Sequence, residues 1–148
     1  MAEMNNVEMA RALSDLVQLD IDAAHAYDQA IASIDIVSLR DQLIAFKEDH
    51  LQHITQLSKV VRALDVVPPE YSQDFKGYLI EGFTALRSVT GTEGALSAMK
   101  TNEELTNRRY RKACALPLTP NIKALVEHNY RDEQMHLAFI EKALVNRV

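Results

Sequence analysis

One set of polar residues occurs twice, at a single offset, within segments that are otherwise apolar at helical spacing. Asp20, Tyr27, His50 and His53 are matched, 83 positions later in each case, by Glu103, Tyr110, Glu133 and His136. In both halves an acid is followed seven residues on by a tyrosine, and thirty residues on by a pair of ligand-type side chains spaced three apart. Four matched pairs at one offset restrict the fold strongly, because both halves must place these groups alike.

An antiparallel helical hairpin in each half accounts for the spacing. With a turn near Asp35, Asp20 and His50 each stand about fifteen residues from it, roughly 22 Å along helices that rise about 1.5 Å per residue. They therefore lie at one height. A turn near residue 118 sets Glu103 level with Glu133 in the same way, and His53 and His136 fall one turn from their partners on the same helix face. Two such hairpins packed together bring six metal-type ligands to the middle of a four-helix bundle.

In chain order, the first helix is expected over about 6–34. Leu13, Leu16, Val17, Ala24, Tyr27, Ile31 and Ile34 form its buried stripe. Asp20 falls within that stripe. Asp22 falls on the opposite side and is expected in solvent, while His25 and Asp28 lie on a flank. An ionised acid buried without a partner costs several kcal/mol, so Asp20 requires a counter-charge or a metal. The second helix, about 37–65, is capped by Asp35 or Ser38 and ends at Pro68 and Pro69. Its seam runs Leu39, Leu43, Phe46, His50, His53, Leu57, Val61, Leu64, with Asp49 beside it as a reserve ligand.

Residues 65–92 form the connection. Ser72 can cap a crossover helix over about 73–89 with Phe75, Tyr78, Leu79, Phe83 and Leu86 on its apolar side. Such a helix covers the flank of the bundle, and at this length it could traverse the bundle and let the second hairpin start from the same end as the first. Thr90 and Glu93 have the spacing of a capping box for a third helix over about 92–115. That helix has the seam Leu96, Met99, Glu103, Thr106, Tyr110, Ala113. Thr119 and Pro120 open a fourth helix over about 120–146, with the seam Ile122, Val126, Asn129, Glu133, His136, Ile140, Leu144. The expected architecture is all-α, one domain over 1–148.

Composition excludes several other classes of function. The net charge is −5, with no basic run that would mark a nucleic-acid surface. Residues 1–10 lack the basic and apolar regions of a signal peptide, and no apolar run approaches the about twenty residues of a membrane span. A single cysteine, Cys114, makes neither an internal disulfide nor a thiolate metal site. The expected location is the cytoplasm.

Mixed imidazole and carboxylate donors without thiolates suit iron, manganese or zinc. The expected ligands are Asp20, His50, His53, Glu103, Glu133 and His136. Tyr27 and Tyr110 are expected to hydrogen-bond the ligating carboxylates from outside, a contact that orients ligands and tunes the ion. The two halves resemble the ferritin-like superfamily of carboxylate-bridged di-iron proteins, in which helices 1 and 3 each give a Glu and helices 2 and 4 each give Glu-x-x-His. The stretch from Gly91 to Asn107 is similar to a bacterial branch of that superfamily.

The resemblance implies a ferritin-like four-helix bundle of two hairpins joined by a long crossover. It implies a di-iron centre in which Fe(II) ions reduce O2 or H2O2, with a role in iron handling or oxidative stress. Glu103, Glu133 and His136 match the second-half pattern, with Glu133 in the bridging place. In the first half Asp20 stands for the Glu, and His50 occupies the place of a bridging carboxylate. This departure leaves two arrangements open: an asymmetric two-metal centre with one carboxylate bridge, or a single ion held by the second half with help from His50. No rubredoxin-type cysteine pairs are present to supply electrons, and the lack of a fifth helix argues against a storage cage. A homodimer is expected. The alternative function is a non-catalytic bundle with a structural or vestigial zinc or manganese site that acts in protein interaction.

Overall fold

The computed structural model describes residues 4–74 and 91–146. Among these residues the chain forms four α-helices and no strand: α1 Asn6–Ala32, α2 Val37–Ala63, α3 Thr92–Cys114 and α4 Pro120–Asn146. The first, second and fourth are each 27 residues long, about 40 Å of helix. Helices α1 and α2 pack as one hairpin and α3 and α4 as another, with α1 also against α3 and α2 also against α4. The result is a four-helix bundle. The expected crossover helix, 73–89, lies outside the described residues apart from its first two positions; at its start the Asp74 N–H donates to Ser72 Oγ at 3.2 Å.

The helix ends show which local signals acted. Asn5 caps α1 in a reciprocal box: its Oδ1 accepts from the Glu8 N–H at 2.8 Å while Glu8 Oε1 accepts from the Asn5 N–H at 2.9 Å. Neither Asp35 nor Ser38 caps α2. The N-cap is Ile36, without a side-chain hydrogen bond. Asp35 instead accepts a hydrogen bond from Thr92 Oγ1 at 3.3 Å, which ties the α1–α2 turn to the start of α3. The α2 terminus precedes the two prolines, because Asp65 adopts a left-handed φ of 65° and the Val66 N–H reaches back to the Val61 carbonyl at 3.2 Å. At α3 the N-cap is Gly91, at φ 82°, and the expected box pairs Glu93 with Thr90. Thr90 itself lies outside the described residues.

The second hairpin does not start from the same end as the first. Asp35 meets Thr92, so α3 begins where α1 finishes. The physical reason is the return path: α2 carries the chain back to the start of α1, and the connection must then deliver α3 at the far end. Helices α1 and α3 therefore run antiparallel, as do α2 and α4, and the two halves face each other about an approximate two-fold axis.

Two apolar clusters fill the ends of the bundle. Met9, Leu13, Val17, Leu57, Val61, Ala113, Ile122 and Val126 belong to one. Ala30, Ile34, Leu43, Phe46, Leu96, Met99 and Ile140 belong to the other. Between them lies a polar layer, and it contains every expected ligand.

Burial on α1 exceeds what a single stripe predicts, since Leu19 through Tyr27 are all buried. Asp22, expected in solvent, is 5% exposed, and His25 is 6% exposed. The cause is a second covered face. The segment after α2 folds back so that Tyr71 stacks on His25 with ring centroids 5.3 Å apart, and Gln18 Nε2 donates to Asp22 Oδ1 at 3.1 Å. The helical phase inferred for Asp20 nevertheless holds, because Asp20 is fully buried on the bundle axis.

Candidate metal centre

All six expected ligands converge. Asp20, His50, His53, Glu103, Glu133 and His136 come from four different helices, and each is at most 1% exposed. His50 Nδ1 donates to Asp20 Oδ1 at 2.7 Å, and His53 Nδ1 donates to the same oxygen at 3.1 Å. In the other half His136 Nδ1 donates to Glu103 Oε2 at 3.2 Å. Two groups of four, Asp20, His50, His53 and Glu133 on one side and His50, Glu103, Glu133 and His136 on the other, can each offer four ligand atoms within 4.8 Å of one another.

The tyrosines act across the two-fold. Tyr110 Oη donates to Asp20 Oδ2 at 2.5 Å, and Tyr27 Oη donates to Glu103 Oε2. Each acid is thus held by the tyrosine of the opposite half. Glu103 also accepts from Thr106 Oγ1 at 2.5 Å, while Asn107 Nδ2 donates to the Glu103 and Glu133 carbonyls at 2.8 and 3.0 Å and so pins α3 to α4 at the site.

Two contributors were missed or underrated in the sequence. Asp132 Oδ2 accepts from His53 Nε2 at 2.9 Å, and Asp49 Oδ2 accepts from His136 Nε2 at 2.8 Å. Asp49 is therefore no reserve ligand. It binds the outer nitrogen of a histidine and turns the inner nitrogen toward the centre, as Asp132 does. The signal that could have found Asp132 was available, for Asp49 and Asp132 obey the same 83-residue offset. His128, with a side chain 60% exposed, stays at the surface.

The electrostatics show how the cluster balances its charge with protons. Burial alone would lower the basicity of His50, but the neighbouring Glu133 charge and hydrogen bonds to Asp20 and Glu103 push it up to about 10. Against the same opposing burial, Asp20 and the Asp132 hydrogen bond push His53 up to about 9. Hydrogen bonds to Asp49 and Glu103 likewise push His136 up to about 12. Burial works against ionised Asp20 and Glu103, yet the histidines outweigh it and hold both below the usual carboxylate range. Glu133 goes the other way, and burial pushes it up to about 7.

Glu133 is the exception in another respect. Asp20 and Glu103 are saturated with donors, whereas neither oxygen of the fully buried Glu133 carboxylate accepts a hydrogen bond. His50 and His53 approach it at 3.3 and 3.4 Å as charges only. A buried carboxylate in this state costs several kcal/mol unless something else satisfies it. Its surroundings are three imidazoles and two further carboxylates, a donor set that suits a first-row divalent ion. The residues present fit a metal.

The fold and this interior cluster define a class: a four-helix bundle with a buried carboxylate and histidine centre able to hold metal. Within that class the chain belongs to the family described as "Domain of unknown function (DUF2383)", which it matches over residues 8–116, from the first turn of α1 to just beyond α3. A comparison with curated proteins found no match to this chain.

Proposed function

We propose that this protein is a metal-binding member of the ferritin-like superfamily that handles iron. Asp20, His50, His53, Glu103, Glu133 and His136 are its ligands, Tyr27 and Tyr110 support the carboxylates, and the whole chain acts as one domain. The observation that carries this reading is the Glu133 carboxylate, buried at the meeting point of four helices with no hydrogen-bond donor on either oxygen. A cation would satisfy such a group.

When bound, a pair of Fe(II) ions would supply electrons for reduction of O2 or peroxide, the substrates we assign. The chain's own part is positional. Asp49 and Asp132 fix the ring orientation of His136 and His53, so that Nδ1 of each faces inward. Tyr27 and Tyr110 hold Glu103 and Asp20 in place. The apolar layers on either side exclude bulk water and strengthen every charge interaction between them. We assign the protein to the cytoplasm as a homodimer.

The test is aerobic addition of Fe(II) to protein purified without metal carry-over from an affinity tag. A fast rise in near-ultraviolet absorbance that is lost in Glu133→Ala supports the oxidative reading, and a rate equal to buffer alone removes it. The imidazole at position 50, where the superfamily pattern has a carboxylate, favours a second reading, a structural zinc or manganese site without turnover. Metal analysis of the same preparation distinguishes the two by the identity of the retained ion.

A further inference from the structure

His50 breaks the repeat, and its two ring nitrogens face different partners. Nδ1 lies 2.7 Å from Asp20 Oδ1, the oxygen that His53 Nδ1 also approaches at 3.1 Å. Nε2 points to the other half, 3.3 Å from Glu133 Oε1 and 3.5 Å from Glu103 Oε2. Glu133 divides in the same sense, with Oε2 3.4 Å from His53 Nδ1 and Oε1 3.7 Å from His136 Nδ1.

The cluster therefore sorts into two sets of four atoms. One set is Asp20 Oδ1, His50 Nδ1, His53 Nδ1 and Glu133 Oε2. The other is Glu103 Oε2, Glu133 Oε1, His136 Nδ1 and His50 Nε2. Four ligands at bonds of about 2.0–2.1 Å in a tetrahedron stand about 3.4 Å apart, and the separations above, from 2.7 to 3.7 Å, bracket that value. His50 and Glu133 are the two residues common to both sets.

We propose that His50 bridges two metal ions as an imidazolate, with one ion on each ring nitrogen and Glu133 giving one oxygen to each. The inference rests on the metal-binding reading above and goes beyond it, since a carboxylate-bridged pair alone does not require His50 to touch both ions. The lone pairs of an imidazole lie in the ring plane and diverge, so a ring that has released its N–H protons to solvent binds two ions on opposite edges. Across such a ring the ions stand on the order of 6 Å apart, given bonds of about 2 Å on each side, against about 3.5–4 Å for compact two-metal sites. The substitution of His for Glu at position 50 thus widens the centre.

Cu(II) tests this directly, because imidazole binds it strongly and its unpaired electron reports on its neighbour. Metal-free full-length protein is titrated with Cu(II) and followed by electron paramagnetic resonance, and the sample at two equivalents is examined by X-ray absorption. The expected signal rises to one equivalent and falls with the second as the spins couple through the ring, with metal–metal scattering near 6 Å. In His50→Gln only the Glu133 carboxylate still links the ions, so the fall weakens and the scattering near 6 Å disappears. Two uncoupled ions in the wild type, coupling and metal–metal scattering both unchanged in His50→Gln, or a wild-type metal–metal distance of about 3.5–4 Å overturns the bridge and leaves the metal-binding reading intact. Failure to retain any Cu(II) overturns both. Should His50→Gln not fold, the wild-type metal–metal distance decides alone.

Discussion

The two hairpins carry the same positions and fill one of them differently. In the second, Glu133 places a carboxylate on the bundle axis, and burial, reinforced by the neighbouring Glu103 charge, raises its proton affinity. In the first, His50 stands at the equivalent position and is saturated, hydrogen-bonded to Asp20 and facing Glu103. An interior of this kind tolerates one unsatisfied carboxylate beside an imidazole that can carry a proton. Two unsatisfied carboxylates at this spacing would repel each other in a medium that screens poorly. The metal-free protein therefore balances its charge with protons on three histidines, two of them in the first half.

The pH dependence of stability is the largest expected effect, and it separates the free from the loaded protein. The three histidines have raised folded pKa values. Their stabilisation is complete below the unfolded value of about 6.5 and is lost as pH rises through about 9 for His53, about 10 for His50 and about 12 for His136. Glu133, raised to about 7, makes stability fall with pH in the same direction below neutrality. Asp20 and Glu103, lowered, stabilise above the unfolded carboxylate range and lose that contribution as pH falls through their folded values. Thermal melts of metal-free protein should thus fall steadily from pH 6.5 to 10. Loaded protein should show the opposite slope, because ions compete with protons for the same nitrogens. Parallel slopes in the two forms would break the comparison.

Next in size is the contrast between acids. Glu103→Gln and Asp20→Asn each strand a buried protonated histidine and should each lower the stability of the metal-free protein by about 3–5 kcal/mol in denaturant melts. Glu133→Gln removes a carboxylate that no donor satisfies but whose charge supports His50, and should lower stability by less than either of these while abolishing retention of metal. Equal losses for all three would mean that Glu133 is held as its counterparts are.

The outer aspartates should cross over. Asp49 belongs to the first half but holds His136, and Asp132 belongs to the second but holds His53. Asp49→Asn should weaken the ion nearer Glu103, and Asp132→Asn the ion nearer Asp20, each by about ten- to a hundredfold in calorimetric titration. The smallest effect is expected for Tyr27→Phe and Tyr110→Phe, about 1.5 kcal/mol each for a lost hydrogen bond to a charged acceptor. Chemical denaturation measures it, and unequal losses would show that the halves differ in more than position 50.

Helical periodicity alone fixed a great deal. The bounds of α1 to α4 to within about two residues, the seam residues and the convergence of six polar side chains were all readable, because a helix repeats every 3.6 residues and a polar side chain on an apolar stripe is conspicuous. The capping of α2 was not readable, since Asp35 had a distant partner, Thr92, that outcompeted its local role.

Sequence by itself determined which side chains lie on the bundle axis and at what height, for those quantities depend on spacing along a rigid helix. Only the tertiary structure decided the rest: that α3 runs against α1, that Tyr71 covers His25, that Asp132 reaches His53, and that His50 turns one nitrogen to each half. These depend on how helices rotate and approach one another. That is set by packing between residues 30 to 90 positions apart, and no local pattern encodes it.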